Sequence, residues 1–124
     1  MSRIVLLFVD DEQDALESFK AAMEDRGYEV VTAESGAAGL EALKTHVPDA
    51  IISDIRMQPM NGFAFFLEVK KMFPGRKIPF IFLTAIEDAV SQKYGQSLGV
   101  DSYIMKPINP DHIDLVLKRK LNRP

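Results

Sequence analysis

The sequence has no cysteine and no tryptophan. Without cysteine it can form no disulfide, no thiolate metal site and no thiol nucleophile, and a cytoplasmic location is expected. It also has no excess of positive charge: 15 Lys+Arg stand against 18 Asp+Glu, for a net charge of −3. Direct binding to nucleic acid, which needs a basic face, is not expected. No apolar run is long enough to span a bilayer, so membrane insertion is not expected either. Arg3 before an apolar run imitates a signal peptide, but the run is short and Asp10-Asp11-Glu12 breaks it. Repeats, low-complexity tracts and linkers are absent. With 124 residues, 47% of them hydrophobic, the chain is expected to form one domain over 1–124.

What is present is a regular alternation. Ile4 to Val9 is a continuous apolar run, which reads as a central strand buried on both faces. From Glu12 to Arg26 the apolar residues Ala15, Leu16, Phe19, Ala22 and Met23 fall at helical spacing, with Asp11 as N-cap and Gly27 as the stop. A second strand is expected from Tyr28 to Ala33, and a helix from Ser35 to about His46. Ala50 to Ser53 is a third strand that Asp54 terminates, and Met57 to Gly62 is a loop, marked by Pro59 and Asn61-Gly62. Phe63 to Phe73 is helical, Pro79 to Leu83 a strand with Thr84 at its end. Glu87 to Leu98 is a helix weakened by Gly95 in its interior, Val100 to Met105 a strand, and Pro110 opens a last helix to about Leu121.

Five strand–helix repeats argue for a parallel sheet covered on both faces, joined by right-handed crossovers into a doubly wound, three-layer α/β domain. Sites in such sheets lie beyond the carboxyl ends of the strands. Asp10 and Asp11, Asp54, Thr84 and Lys106 all fall at those ends. At ~4 Å two unit charges repel by about 1 kcal/mol in water and about 4 kcal/mol at an effective dielectric of ~20. Three carboxylates on one rim therefore call for a hard cation, and Mg²⁺ suits oxygen ligands with several waters retained. Carboxylates, one metal, one lysine and one hydroxyl suit phosphoryl transfer. A carboxylate can itself be the nucleophile, giving an acyl phosphate, and Asp54 is the candidate because it stands alone on the middle strand.

The residues Val9-Asp10-Asp11-Glu12, Asp54-Ile55-Arg56-Met57 leading to Gly62, Thr84-Ala85, and Tyr103-Ile104-Met105-Lys106-Pro107 together resemble a response-regulator receiver domain of two-component signalling. The likeness runs over essentially the whole chain. It implies a flavodoxin-like (βα)5 fold with strand order 2-1-3-4-5, an order already described for the chemotaxis members of the family. It implies that Asp54 accepts a phosphoryl group from a histidine kinase, a phosphotransfer protein or a small phosphodonor. Mg²⁺, with Mn²⁺ as the expected substitute, would be held by Asp11, Asp54 and the backbone carbonyl of Arg56, with Asp10 acting largely through water. Lys106 would pair with Asp54 and then with a phosphate oxygen, and Thr84 would swing to bond the phosphate. Tyr103 would turn inward into the space Thr84 leaves, repacking the face of helix four, strand five and helix five. That face would meet a downstream protein target, an output domain or a second copy in a homodimer. Pro107 is a candidate for a cis peptide bond, and the domain is expected to switch rather than to turn over a substrate.

The likeness departs at one place. Receivers usually carry proline four positions after the phosphoacceptor, where this chain has Gln58, with Pro59 one later. Met57 and Gly62 keep their places, so nothing was inserted, but Gln58 becomes the restricted pre-proline residue of the active-site loop. Arg56 and Ile86 stand where family members tune access of water to the phosphoryl group. A bulky Ile86 is expected to slow dephosphorylation. The repulsion argument also implies that Asp11→Asn would stabilise the metal-free fold. Other classes fit less well. An Asp-nucleophile phosphatase of the haloacid dehalogenase type places its nucleophile after the first strand. An FMN binder needs a phosphate loop where this chain has acids. A degenerate receiver serving only for docking would not need all five key residues.

Overall fold

The computed structural model describes residues 3–85, 89–100 and 102–121. Five strands and five helices alternate along them: β1 (Val5–Val9), α1 (Gln13–Glu24), β2 (Glu29–Ala33), α2 (Gly36–Ala42), β3 (Ala50–Asp54), α3 (Gly62–Met72), β4 (Phe80–Thr84), α4 (Ala89–Leu98), β5 (Ser102–Met105) and α5 (Pro110–Lys120). The strands form one sheet in the order β2-β1-β3-β4-β5. Every neighbouring pair is parallel, with Leu6 opposite Val30 on one side and Ala50 on the other. The expected three-layer doubly wound fold and its strand order are what the chain adopts.

Successive side chains of a strand point to opposite faces, and the apolar runs supply both faces at once. Leu6, Phe8, Ile52, Ile81 and Leu83 meet Leu16, Phe19 and Met23 of α1 and Ile113 and Leu117 of α5. Leu7, Val9, Ile51, Phe80 and Phe82 meet Phe63, Phe65, Phe66 and Val69 of α3 on the other side. Burying each such side chain stabilises by roughly 1.5–3 kcal/mol. Phe8 and Phe19 stack with centroids 4.0 Å apart, and Phe80, Phe82 and Phe66 make edge-on contacts. The Phe63-Phe65-Phe66 stretch is thus core.

Several boundaries differ from the sequence expectation. Glu12, not Asp11, holds the N-cap position of α1, and its side chain caps nothing. The capping interaction instead comes from Asp10, whose Oδ1 accepts from the Glu12 N–H at 3.0 Å. α2 ends at Ala42 rather than near His46, because the chain tightens there, with Lys44 N–H donating to the Glu41 carbonyl and Thr45 N–H to the Ala42 carbonyl, each three residues back. Its start is as expected: Ser35 accepts from Ala38 N–H at 3.0 Å. β5 begins at Ser102, since Gly99 ends α4 in the left-handed region at φ +89° and Val100 N–H still bonds back to Gly95.

Candidate functional site

In the sheet order, β1 lies between β2 and β3, so the chain reverses direction of winding at the carboxyl ends of β1 and β3. Asp10 leaves the end of β1, tied to β2 by its N–H to the Ala33 carbonyl at 3.1 Å. Asp54 is the last residue of β3. The fold therefore brings Asp10, Asp11 and Asp54 together, with one potential ligand atom from each within 4.8 Å of the others. The three differ in environment. Asp10 is 1% exposed and Asp54 7%, while Asp11 projects into solvent.

Burial pushes the Asp10 carboxyl above the usual carboxylate range. The Glu12 N–H opposes this, the Asp54 charge adds to it, the Lys106 charge opposes it, and the Asp11 charge adds to it. Asp10 Oδ2 is buried without a hydrogen-bond partner among the described residues. A buried carboxylate oxygen with no donor, next to two more carboxylates, is the kind of site that a hard divalent cation satisfies. The donor set fits Mg²⁺.

Lys106 follows β5, and its Nζ lies 3.3 Å from Asp54 Oδ2. Its N–H donates to the Thr84 carbonyl at 2.8 Å, which ties the lysine to the end of β4. Thr84 is buried at the end of β4 and donates from Oγ1 to the Ala85 carbonyl at 3.3 Å. Tyr103 sits across from Phe82 in the β4–β5 register, with rings 5.9 Å apart. Its hydroxyl is buried and without a partner among the described residues.

The loop after β3 is shaped by glycine. Gly62 N–H donates to the Ile55 carbonyl at 2.8 Å, and an added Cβ would fall 2.5 Å from the Asp54 carbonyl oxygen. Asn61 caps α3 by accepting from Ala64 N–H. The Gln58–Pro59 and Lys106–Pro107 peptide bonds are both cis. Arg56 and Gln58 are exposed, and with Asp11 and Met57 they line a shallow open cavity beside the carboxylates. Another cleft, lined by Phe66, Phe73, Lys77, Phe80 and Gly99 among others, lies toward the amino ends of the strands and has no acid in its lining. Ile86 lies outside the described residues.

Gly62, expected from the sequence as a turn residue and as the end of the receiver-like loop motif, is pressed against the backbone of Asp54. One part of this arrangement escaped the sequence reading. Ser53, a buried hydroxyl in β3, donates to the Asp54 carbonyl at 2.8 Å and carries no motif signal at all.

The family model described as the response regulator receiver domain matches residues 6–118. Among curated proteins, the transcriptional regulatory protein GlrR of Escherichia coli (strain K12) is 43% identical over 109 residues, covering 86% of this chain and 23% of that protein. The response regulator SaeR of Staphylococcus aureus (strain USA300) is 36% identical over 118 residues, covering 95% of this chain and 50% of that protein. The chain thus spans about a quarter to a half of the length of the curated relatives it matches. Among solved structures, chemotaxis protein CheY4 of Vibrio cholerae superposes with a TM-score of 0.88 at 30% identity, covering 95% of this chain and 98% of that one.

Proposed function

The chain belongs to the response regulator receiver domain family of two-component signalling, and from that premise we propose that it is a phosphoacceptor switch whose acceptor is Asp54. The observation that carries this reading is the meeting of Asp10, Asp11 and Asp54 within 4.8 Å, with Lys106 Nζ 3.3 Å from Asp54. The proposed metal ligands are Asp11, Asp54 and the Arg56 carbonyl, with Asp10 holding the ion's water. A bound Mg²⁺ supplies positive charge to the equatorial phosphoryl oxygens.

An Asp54 carboxylate oxygen attacks the phosphorus of a phosphohistidine on a partner kinase or phosphotransfer protein. The O–P bond forms as the P–N bond breaks, and the electron pair leaves with the imidazole nitrogen, which takes a proton. A small phosphodonor such as acetyl phosphate serves in the same way, with acetate leaving. Lys106 passes from the carboxylate to a phosphoryl oxygen, and the Thr84 hydroxyl turns to donate to another. In the return step water attacks the phosphorus, the O–P bond to Asp54 breaks, and inorganic phosphate leaves as the carboxylate returns, with Arg56 and Ile86 setting access. One turnover changes the state of the protein itself, which is the behaviour of a switch and not of an enzyme acting on a separate substrate.

Output by way of α4, β5 and α5 to a target protein, an attached domain or a second copy is part of the same proposal. So is a cytoplasmic setting; no helix among the described residues is long and apolar enough to cross a membrane. Phosphorylation shifts populations only as far as the phosphoryl group interacts differently with the two states. Incubation with Mg²⁺ and acetyl phosphate is expected to add one acid-stable, base-labile phosphoryl group to the wild-type chain and none to Asp54→Asn. Equal labelling of both would defeat the assignment.

A further inference from the structure

Gly95 and the tip of Tyr103 compete for one place. A Cβ on Gly95 would fall 1.6 Å from the Tyr103 hydroxyl oxygen, 2.8 Å from its Cζ and 3.0 Å from Cε1 of Phe63. Glycine within a helix is destabilising relative to alanine. Gly95 sits inside α4 (Ala89–Leu98) and has no positive φ to explain it. What it provides is a notch in the helix face, and the phenol of Tyr103 fills that notch.

The seat is good for the ring and poor for the hydroxyl. The ring packs beside Phe82, and the edge of Phe63 lines the same gap. The hydroxyl is buried with no hydrogen-bond partner among the described residues. A buried, unpaired hydroxyl has lost its bonds to water without replacement. Rotation of the side chain toward solvent restores those bonds but exposes the ring and empties the notch. Ring burial and hydroxyl desolvation thus oppose each other in this seat. Next to this seat, α4 and β5 already present Val90, Tyr94 and Met105 to solvent.

We propose that Gly95 is the positioning residue for Tyr103: the inner seat of the phenol exists only because position 95 has no side chain, and any larger residue there drives the ring out onto the α4–β5 face. The consequence for signalling rests on the phosphoacceptor reading; the seating itself does not.

The test is Gly95→Ala in the full chain, read first without any phosphodonor. In the wild type, Tyr103 ring protons are expected to show nuclear Overhauser contacts to Gly95 Hα and to the Phe63 ring. In Gly95→Ala the contacts to Phe63 should vanish and the ring resonances move to solvent-exposed values. A thermodynamic cycle controls for simple misfolding. Gly95→Ala should lower the melting temperature beside Tyr103 but raise it in the Tyr103→Ala background, where the emptied seat lets the Phe63 edge, 3.0 Å from the new methyl group, shift aside and the helix preference of alanine prevails. A folded Gly95→Ala chain that keeps the Tyr103–Phe63 contacts, or a melting shift of the same sign in both backgrounds, overturns the proposal. Acetyl phosphate is then added. Loss of labelling already in the wild type would overturn the phosphoacceptor reading and leave the seating result standing, so the two failures are distinguishable.

Discussion

Asp10 and Asp11 are adjacent in sequence and opposite in environment: the Asp10 carboxylate is buried under the end of the sheet, and Asp11 is exposed. The backbone alternation at the end of β1 sends one inward and one outward. Loss of solvent therefore weighs on Asp10 first, and Asp10 also faces Asp54 and has one oxygen with no partner among the described residues.

The stability consequence is therefore expected to be strongest at Asp10. Burial raises the Asp10 pKa in the folded chain. The folded state then holds the proton more tightly than the unfolded one. The resulting stabilisation is complete below the unfolded value of about 3.9 and is lost as pH rises through the raised folded value. At neutral pH the metal-free chain carries a destabilising buried charge. Asp10→Asn should raise its melting temperature at pH 7 by on the order of 4 °C, and the difference should close below pH ~3.9. Adding Mg²⁺ should reverse the ranking, since a ligand at ~100 times its Kd stabilises by about 2.7 kcal/mol. Melts with EDTA and with Mg²⁺ decide it; a variant less stable than wild type in EDTA at pH 7 would sink the idea.

Lys106 is expected to matter for chemistry more than for stability. Its ion pair with Asp54 is partly exposed, with the Lys106 side chain at 36%, and pairs of that kind contribute at most about 1 kcal/mol. A charge positioned against a developing phosphoryl group is worth much more; loss of one such donor in an enzyme site typically lowers rates by about 10²–10³-fold. Lys106→Ala should therefore melt within a few degrees of wild type while the rate of labelling by acetyl phosphate falls by ~10² or more. A loss of stability that accounts for all of the lost labelling would refute this separation.

Gly62→Ala should do the reverse. Its Cβ would meet the Asp54 carbonyl oxygen at 2.5 Å, the Ile55 Cα at 2.9 Å and Phe82 Cε1 at 2.9 Å. Two of those neighbours are backbone, so the methyl group cannot be absorbed by a rotamer change. Overpacking of this kind costs about 1–3 kcal/mol, and relief requires the end of β3 to move, taking Asp54 with it. Denaturant unfolding should show the loss, and Mg²⁺ affinity should fall with it. Unchanged stability would mean that the loop after β3 gives more easily than its contacts indicate.

The sheet was legible because its strands are continuous apolar runs, and continuous runs in parallel sheets serve two cores at once. Asp54, Thr84 and Lys106 were legible because the carboxyl end of a parallel strand is a fixed address. The contrast in burial between Asp10 and Asp11 was not legible from residue type, since it depends on which way the chain turns after β1; only the resemblance separated their roles. Gly95 was read as a weakness of α4; its reason is the Tyr103 phenol, which reaches it from another element. The end of α2 was overrun because the segment from Ala42 through His46 has no proline or glycine to stop it, and only the three-residue bonds from Lys44 and Thr45 mark the turn.

A last prediction concerns the far side of the domain, where Tyr28, just before β2, donates from its hydroxyl to Asp114 of α5. Lys118 also pairs with Asp114, at 3.3 Å. The Tyr28 hydrogen bond, more than Lys118 or Arg26, holds the Asp114 carboxyl below the usual range. Burial first, and then Asp114, raise the Tyr28 phenol. Tyr28→Phe should destabilise by about 1–2 kcal/mol at pH 7, the lower part of what bonds to charged groups contribute, because Asp114 keeps water and Lys118. For a carboxylate lowered in the folded state, the contribution is present above its unfolded value and lost as pH falls through the folded one. For a raised phenol, it is present below the unfolded value and lost as pH rises through the folded one. The gap between wild type and Tyr28→Phe should therefore be widest between pH ~4 and ~10 and narrow at both ends. Urea unfolding across that range measures it. A gap that stays constant from acid to alkali would mean that the tyrosine contributes by packing alone.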